Sequence, residues 1–365
     1  MIEILEKIQI KANSILNNYK HKKILFIGSE SYDGCTITIL EGLQELGYTI
    51  YTYKKNNINS WFCNTIIEDI EPILNDIDFV LSNLHWGTRW NLYKNIPKNI
   101  PRILIDADDN PNIGNWELKF KKYYKQYNKN LSDKEKDKEL SHCRWIENIG
   151  DYKPDKIFTS QKPFNDNTIY IPFGIQKNYL KMNQNIPILN RKYDFTHISG
   201  PGQLRCQISN FLSSKKINGK IFNGTARGEA IYPEKIKNLC KIDNNIHSYH
   251  RWSLNKDYFN VLNNSKVLIY HGIDNKPFWD SKRPWEALAC GCILLYNKPL
   301  IDTSQYPLTQ IDNFLLYNSL EELVEKCNKL INNPELFEKY HNLCKTKSIE
   351  FFSNKALTNY FLKKI

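Results

Sequence analysis

The segment DSKRPWEALACGCILLYNKP, Asp280 to Pro299, carries the clearest structural pattern of the chain. Its charged start leads into RPWEALACG, a run of small apolar residues that predicts a helix. The chain breaks at Gly291, and the apolar run CILLYN after it predicts a strand. Arg283 and Glu286 stand at the start of this helix, where unpaired backbone N–H groups and the helix dipole favour anions. The segment therefore predicts a helix–strand unit with charged residues at the start of the helix.

The same alternation extends over most of the chain. KKILFIGS predicts a first strand, YDGCTITILEGLQELGYTIYTYKK a helix that ends at Gly47 and a second strand, and IEPILNDI a further helix. DFVLSNL, PRILIDAD, PDKIFTS and TIYIPFG predict more strands, and YDFTHISG begins a second series. Strand–helix–strand units form parallel sheets. We therefore expect an α/β protein with two Rossmann-like domains that face a cleft.

Two polar regions set the predicted domain limits. The stretch 176–192 separates the two series, which gives an N-terminal domain over 1–175 and a C-terminal domain over 176–345. Residues 346–365 form a C-terminal helix that we expect to pack back on the first domain. The charged and aromatic residues 115–150 predict a helical insertion in the first domain. This insertion is either a solvated helix or a surface that binds an acceptor.

Composition narrows the class of protein. The chain has 365 residues, with 50 Lys and Arg against 39 Asp and Glu, a formal charge of +11. A positive field attracts phosphates of nucleotides, nucleic acids or lipid headgroups, although an AT-rich gene also enriches a sequence in Lys, Asn and Ile. No segment reaches the roughly 20 consecutive apolar residues of a membrane span, so only peripheral membrane contact stays open. The nine scattered Cys predict a reduced, cytoplasmic protein without structural zinc.

Candidate ligand-binding residues follow the predicted strands. Open α/β sheets bind their ligands beyond the carboxyl ends of the strands. The residues that stand at such positions are Gly28, His85, Asp106, Asp108, Gly200 and Arg205. Because these residues come from both halves of the chain, we expect them to contribute to one site from two domains.

Arg283 and Glu286 suit different parts of a nucleotide. The forked guanidinium of Arg283 matches phosphate oxygens. Phosphate would repel Glu286, so its carboxylate is better suited to accept hydrogen bonds from ribose hydroxyls. The alternative is that Glu286 caps its own helix and that Arg283 pairs with it or with Asp280.

These motifs resemble a known family. RPWEALACGCILL is similar to the nucleotide-sugar site of GT-B glycosyltransferases, in the R-x-[FW]-E-x-x-A-x-G variant of the group-1, CgeB-like type. LIDADDNP resembles a strand-end acidic motif of these proteins, and YDFTHISG the start of their second domain. HSYHRWSLNKDYFNVLNNSKVLIY resembles the segment that holds the nucleotide base. The resemblance covers about residues 22–340 and is specific over 195–300.

The resemblance implies roles for individual residues. Group-1 relatives hold a nucleoside-diphosphate sugar mainly in the second domain and the acceptor in the first. Carried over to this sequence, Glu286 holds the ribose, Arg205 and Arg283 neutralise the diphosphate, and His85 approaches the transferred sugar. The residues implied to face the base are His247, Tyr249 and Trp252.

One position departs from the family pattern. Many relatives carry two Glu separated by seven residues, and Glu286 matches the second of them. Phe278 stands at the earlier position, with Asp280 as the nearest acid. This departure keeps open a scaffold that binds a nucleotide or a glycan without turnover.

The resemblance implies transfer of a hexose from a nucleoside-diphosphate sugar, with a UDP-sugar favoured, to a glycan, a protein or another hydroxyl acceptor. No permanent cofactor and no essential metal are expected, although Asp106-Ala-Asp108 is formally a metal-binding triplet. In an inverting reaction Asp106, Asp108 or His85 would deprotonate the acceptor, and in a retaining reaction His85 would lie beside the sugar. A second alternative is a phage-type transferase that acts on DNA bases with the same fold.

Overall fold

A computed structural model describes residues 22–28, 34–53, 65–83, 96–106, 154–160, 168–199, 208, 219–223, 256–271, 282–297 and 311–365. Structural statements below concern these residues. The chain divides by its contacts into two compact units, Met1–Ile171 with Leu357–Ile365, and Pro172–Ala356. A division by contacts describes packing and not independent folding, so the domain limits expected from the sequence stay a prediction, as does the cleft. The insertion expected at 115–150 lies outside the described residues.

The first unit is built on a parallel sheet. Its elements are β1 (Lys23–Gly28), α1 (Gly34–Glu45), β2 (Thr49–Tyr53), β3 (Thr65–Ile67), β4 (Phe79–Asn83), β5 (Arg102–Asp106), β6 (Lys156–Thr159) and β7 (Thr168–Tyr170). The strands lie in the order β3-β2-β1-β4-β5-β6-β7, and every pair is parallel. The order reverses between β1 and β4, and such a reversal marks the ligand-binding position of open α/β sheets.

Continuous apolar sequence explains why β1 is central. Its residues Ile24, Leu25, Phe26 and Ile27 are buried, as expected for a strand covered on both faces. Helix α1 ends in a Schellman motif, in which the N–H of Tyr48 donates to Leu43 O and that of Gly47 to Gln44 O. Gly47 has a φ of 89°, which confirms the predicted helix end.

The stretch IEPILNDI does not form the predicted helix. Only a single 3-10 turn, Glu71–Ile73, is present between β3 and β4. Asp76 and Asp78 at the end of this stretch bind Lys23, through its Nζ at 3.0 Å and its backbone N–H at 2.8 Å. These exposed contacts join the end of the stretch to the start of β1.

The second unit repeats the parallel arrangement. Its elements are α2 (Lys177–Lys181), β8 (Tyr193–Ser199), β9 (Gly219–Asn223), α3 (Lys256–Asn263), β10 (Ser265–Tyr270), α4 (Lys282–Ala289), β11 (Ile293–Asn297), β12 (Leu316–Tyr317), α5 (Leu320–Ile331) and α6 (Pro334–Phe352). The last helix, α7 (Asn354–Leu362), begins in this unit and belongs to the first unit from Leu357 onward. The strand order is β12-β11-β10-β8-β9, again all parallel, with the reversal between β8 and β10. The prediction of an α/β protein with two parallel, Rossmann-like sheets is confirmed.

The C-terminal helices differ in detail from the expected single helix over 346–365. Helix α6 runs without interruption through residue 346 and ends at Phe352, and α7 follows after Ser353. Residues Leu357–Ile365 belong to the first unit. There Phe361 is fully buried, with its ring centroid 4.7 Å from that of Phe158, and Thr358 Oγ1 donates to Ile39 O.

Candidate functional site

Helices α3 and α4 begin toward the same edge of the second sheet. Each helix precedes a parallel strand, α3 before β10 and α4 before β11, so each runs antiparallel to that strand. Their first turns therefore lie toward the carboxyl edge of the sheet, where open α/β proteins bind ligands. Tyr258 is the third residue of α3, and Arg283 and Glu286 are the second and fifth of α4.

A hydrogen bond joins these two helix starts. Tyr258 Oη donates to Glu286 Oε2 over 2.7 Å. Both residues are buried, with 7% of Tyr258 and 5% of Glu286 exposed. Among the residues that the structure describes, Tyr258 is the donor to this carboxylate and Oε1 receives no hydrogen bond. The site thus contains a buried carboxylate that is held through one of its two oxygens.

This contact overturns one sequence-based alternative. Glu286 was a candidate cap for its own helix, but it is the fifth residue of α4 and its side chain bonds Tyr258 on α3. Its backbone carbonyl accepts from Cys290 N at 3.1 Å, as an interior helical residue does. Glu286 therefore lies within the helix, and its carboxylate links the helix to a neighbour. Arg283 is partly buried on the turn before it.

The opposite end of α4 is a Schellman motif. The N–H of Cys292 donates to Ala287 O and that of Gly291 to Leu288 O, both over 2.9 Å. Gly291 has a φ of 75°, the left-handed conformation that this motif requires. A Cβ at Gly291 would come within 3.0 Å of Arg191 Nη2 and of His341 Cε1. The predicted end of the helix at Gly291 is confirmed. Glycine suits this position because φ is left-handed and because a Cβ would lie too close to Arg191 and His341.

Three side chains bind the last carbonyls of this helix end. Asn183 Nδ2 donates to Ala289 O over 2.9 Å, Arg191 Nη2 to Cys290 O over 2.8 Å, and His341 Nδ1 to Gly291 O over 2.8 Å. They come from the loop after α2, the segment directly before β8 and helix α6. Carbonyls at a helix C-terminus carry the negative end of the helix dipole, so cationic and N–H donors stabilise it.

Arg191 is the centre of this cluster. Its side chain is buried and also donates from Nη1 to Ser265 O over 2.8 Å and from Nε to Ile186 O over 3.2 Å. It thereby joins the end of α4 to the start of β10. The stretch 176–192, interpreted from its polarity as a boundary, supplies this buried group.

Burial shifts the pKa values of His341 and of the neighbouring Cys292 thiol. Because the Gly291 carbonyl accepts, the Nδ1 of His341 must carry the proton. Burial lowers the pKa of His341, and the hydrogen bond to Gly291 only partly opposes this. Burial also raises the pKa of Cys292 to about 11, although Arg191 lies beside it. Such a thiol is protonated at neutral pH and unreactive.

The first unit brings two of the predicted residues to its carboxyl edge. Gly28 ends β1 and lies level with Asn83 on β4, at the reversal of strand order. Asp106 ends β5 and lies level with Thr159 on β6. Asn83 and Thr159 are buried polar residues that were not predicted. Their position directly at a strand end was the available signal.

The remaining predicted site residues lie outside the described part of the chain, and their roles stay predictions: His85, Asp108, Gly200, Arg205, His247, Tyr249 and Trp252. The same holds for Phe278 and Asp280 at the departure from the family pattern. Within the described stretches, no three His, Cys, Asp or Glu side chains are grouped as a metal site would need. No described helix is long and apolar enough to cross a membrane.

Sequence reasoning missed Tyr258, Asn183, Arg191 and His341. Tyr258 stands in the segment that resembles a base-binding region, but only the fold reveals that its hydroxyl reaches a residue 28 positions away. The contact of Arg191 with Cys290 spans 99 positions and that of His341 with Gly291 spans 50. No periodicity or local motif carries such pairings.

Comparison with known proteins identifies this fold. Residues 211–350, less than half of the chain, match a family model described as "Glycosyl transferase-like". No curated protein matches the sequence significantly.

Three solved structures are similar over nearly their whole length, and each match covers 94% of this chain. Sucrose-phosphate synthase from Thermosynechococcus elongatus has a TM-score of 0.52 at 11% identity, with 98% of its chain covered. Anabaena HepE in complex with UDP-glucose has a TM-score of 0.53 at 12% identity, with 99% covered. The DNA-modifying enzyme β-glucosyltransferase has a TM-score of 0.51 at 13% identity, with 99% covered. The chain has the GT-B fold of glycosyltransferases, and its C-terminal part matches a glycosyltransferase family model.

Proposed function

We propose that this protein is a group-1-like glycosyltransferase, of the CgeB-like type, that transfers a hexose from a nucleoside-diphosphate sugar to a hydroxyl acceptor. The observation that carries the proposal is the position of Glu286. It is a buried carboxylate on the fifth residue of α4, toward the carboxyl edge of the second sheet, with Oε1 unused by the described residues. A buried carboxylate needs hydrogen-bond donors, and the hydroxyls of a ribose supply them.

The start of α4 also suits the phosphates of the donor. Helix N-termini bind anions through unpaired N–H groups and the helix dipole. Arg283 lies on the first turn and adds a guanidinium whose fork matches phosphate oxygens. We assign the diphosphate to this turn, with Arg205 as a second cation, and the base to the segment of His247, Tyr249 and Trp252. Ribose and diphosphate would then lie along one helix face.

UDP-glucose is the favoured donor. HepE was solved with UDP-glucose, and the DNA-modifying β-glucosyltransferase was studied with uridine diphosphoglucose as its substrate. Arginine side chains and helix N-termini can stabilise a leaving diphosphate by fixed dipoles and charges, without an essential metal. We propose that this chain stabilises the leaving diphosphate in this way, without an essential metal. We also propose that the reaction takes place in the cytoplasm.

The acceptor belongs to the first domain in this proposal. Gly28 ends β1 and Asp106 ends β5, on either side of β4 in the first sheet. His85 and Asp108 follow strands of this sheet in the sequence. In an inverting reaction Asp106, Asp108 or His85 takes the proton of the attacking hydroxyl as general base. A retaining reaction would leave His85 beside the sugar.

DNA is the second candidate acceptor, beside glycans and proteins. The formal charge of +11 favours binding to a polyanion, and one similar structure is a DNA-modifying enzyme. Binding to duplex DNA through phosphate contacts would weaken steeply as salt is raised. This dependence separates a DNA acceptor from a neutral glycan.

A two-stage experiment tests the proposed function. First, the melting temperature is measured with UDP, GDP, ADP, CMP and dTDP. A nucleotide at 100 times its Kd stabilises the native state by about 2.7 kcal/mol, and we expect UDP to give the largest shift. Second, release of UDP from UDP-glucose is measured with a glycan mixture or duplex DNA as acceptor.

Glu286→Ala should abolish the UDP shift and the release. The matched control is Glu325→Ala, which removes an exposed Glu that pairs with Lys329 on the surface of α5. If no nucleotide raises the melting temperature, the proposal is wrong. UDP binding without turnover of any donor would leave a non-catalytic nucleotide-binding scaffold instead.

A further inference from the structure

The contact between Tyr258 and Glu286 is a fixed one. The phenol donates to a carboxylate oxygen over 2.7 Å, and both groups are almost fully buried. Hydrogen bonds to a carboxylate are stronger than those between neutral groups, and low local polarity strengthens them further. The orientation of the Glu286 carboxylate is therefore set from the neighbouring helix.

Tyr258 is itself held rigidly. Its ring packs edge-on against Phe259 at a centroid distance of 5.3 Å, and Phe259 packs against Tyr179 at 5.9 Å. The far end of α3 is tied down by Asn263, whose Nδ2 donates to Met182 O and whose Oδ1 accepts from Gln184 N, each over 2.8 Å. A tyrosine has only two side-chain torsions to fix, so its hydroxyl is presented at little entropic cost.

We propose that Tyr258 is a positioning residue that sets the ribose preference of the site. By holding Oε2 it turns Oε1 of Glu286 toward the carboxyl edge, where Oε1 accepts from a ribose hydroxyl of the bound nucleotide. This inference rests on the proposed function, because it needs a nucleotide at the start of α4. Tyr258 touches the carboxylate and not the ligand.

A purely structural role predicts something different. If the hydrogen bond only joins α3 to α4, its loss lowers stability and affects every nucleotide alike. If Tyr258 positions Glu286, its loss weakens a ligand with both ribose hydroxyls more than a ligand that lacks one. A rigid acceptor gains affinity because less motion is lost on binding. The ratio of two affinities therefore separates the two roles.

The experiment measures the Kd of UDP and of 2′-deoxy-UDP by titration calorimetry on the full chain. The variants are Tyr258→Phe, Glu286→Gln and the double variant, and the control is Tyr340→Phe. Tyr340 has the same 7% exposure but lies on α6, stacked on Phe314. For the wild type we expect UDP to bind about tenfold more tightly than its deoxy analogue, the difference of one good hydrogen bond to a charged group.

Tyr258→Phe should weaken UDP about tenfold and the analogue less than about twofold, which reduces the ratio toward one. The double variant should resemble Glu286→Gln alone, since the two residues act as one unit. Tyr340→Phe should keep the wild-type ratio. Partial unfolding reduces both affinities equally, so the ratio reports on folded molecules even if a variant is less stable.

Two outcomes overturn the inference, and they can be distinguished. If Glu286→Gln lowers the ratio while Tyr258→Phe leaves it unchanged, Tyr258 is only structural and the proposed function survives. If Glu286→Gln leaves UDP affinity unchanged, the assignment of Glu286 fails, and the role of Tyr258 fails with it.

Discussion

The two ends of helix α4 are stabilised in opposite ways. At its C-terminal end, Asn183, Arg191 and His341 bind the carbonyls of three successive residues. At its start, Glu286 is held by Tyr258 through one oxygen, and among the described residues the other oxygen has no donor. One end has its backbone acceptors satisfied by the protein, whereas the other keeps an acceptor available.

We interpret the C-terminal end of α4 as the part that fixes the helix in place, and its start as the part that binds the nucleotide in the proposed function. A binding site needs groups held close to their productive geometry by a surrounding shell. Here Trp285, 1% exposed and packed on Phe352, and the clamped C-terminal end fix the helix. In the proposed function, the first turns then present Arg283 and Glu286 to the nucleotide with little loss of entropy on binding. We therefore expect substitutions at the C-terminal end to change stability and those at the start to change affinity.

The largest expected effect is that of Arg191→Met. The change keeps the length of the side chain but removes the arginine donor from the buried carbonyls of Ser265 and Cys290 and from the partly buried carbonyl of Ile186. Each buried unsatisfied group costs about 1–3 kcal/mol, so the free energy of unfolding should fall by about 3 kcal/mol or more. Urea denaturation measures it. The control is Lys192→Met, at the exposed neighbouring position, whose free energy of unfolding should stay within about 0.5 kcal/mol of the wild type. Equal losses for the two variants would show that the contacts of Arg191 do not stabilise the end of α4.

Gly291→Ala should have a smaller effect, and Gly47→Ala is its matched control. Both glycines end a helix in a Schellman motif, with φ of 75° and 89°. The left-handed conformation alone costs a residue with a side chain about 1–2 kcal/mol. At Gly291 the new methyl group would also lie 3.0 Å from Arg191 and from His341. Gly291→Ala should therefore lower the free energy of unfolding by more than Gly47→Ala. The reverse order would show that Arg191 and His341 move aside at little cost.

The smallest expected effect is the contribution of His341 to the pH dependence of stability. Burial lowers the pKa of His341, against the influence of Gly291 and Glu338, while Arg191 and Lys345 reinforce the shift. Between the lowered pKa and the ordinary value near 6.5, the unfolded chain binds a proton that the folded chain does not. Stability should therefore fall as the pH drops below about 6.5.

His341→Asn keeps an N–H donor near Gly291 and cannot titrate. Melting temperatures measured from pH 7.5 to pH 5.5 should decrease less steeply for this variant than for the wild type. Any pH-independent cost of the substitution cancels, because only the slopes are compared. Parallel slopes would remove His341 as the source of the pH dependence.

The sequence predicted those parts of the molecule that local patterns encode. Continuous apolar runs predicted β1 and β11, Gly47 and Gly291 predicted helix ends, and the order of elements predicted two parallel sheets. The helix predicted over IEPILNDI does not form, and Asp76 and Asp78 at its end bind Lys23 instead. Such a contact depends on the fold and not on local spacing.

The site was predicted to a lesser extent. Arg283 and Glu286 could be predicted as candidates because charges at a helix start are a local signal. Tyr258 and Arg191 were missed because their partners lie far away in the sequence, and the polarity of 176–192 suggested exposure for a residue that is buried. A buried cation whose partners are backbone carbonyls leaves no trace in the pattern of charged residues.

The most direct test measures two quantities, UDP affinity and the free energy of unfolding, for Glu286→Gln and for Arg191→Met. Glu286→Gln should weaken UDP about tenfold or more and change stability by less than about 1 kcal/mol, since the amide oxygen can still accept from Tyr258. Arg191→Met should lose about 3 kcal/mol of stability while its folded molecules bind UDP within about threefold of the wild type. If Glu286→Gln instead binds UDP as the wild type does, the account of α4 as a nucleotide-binding helix is wrong.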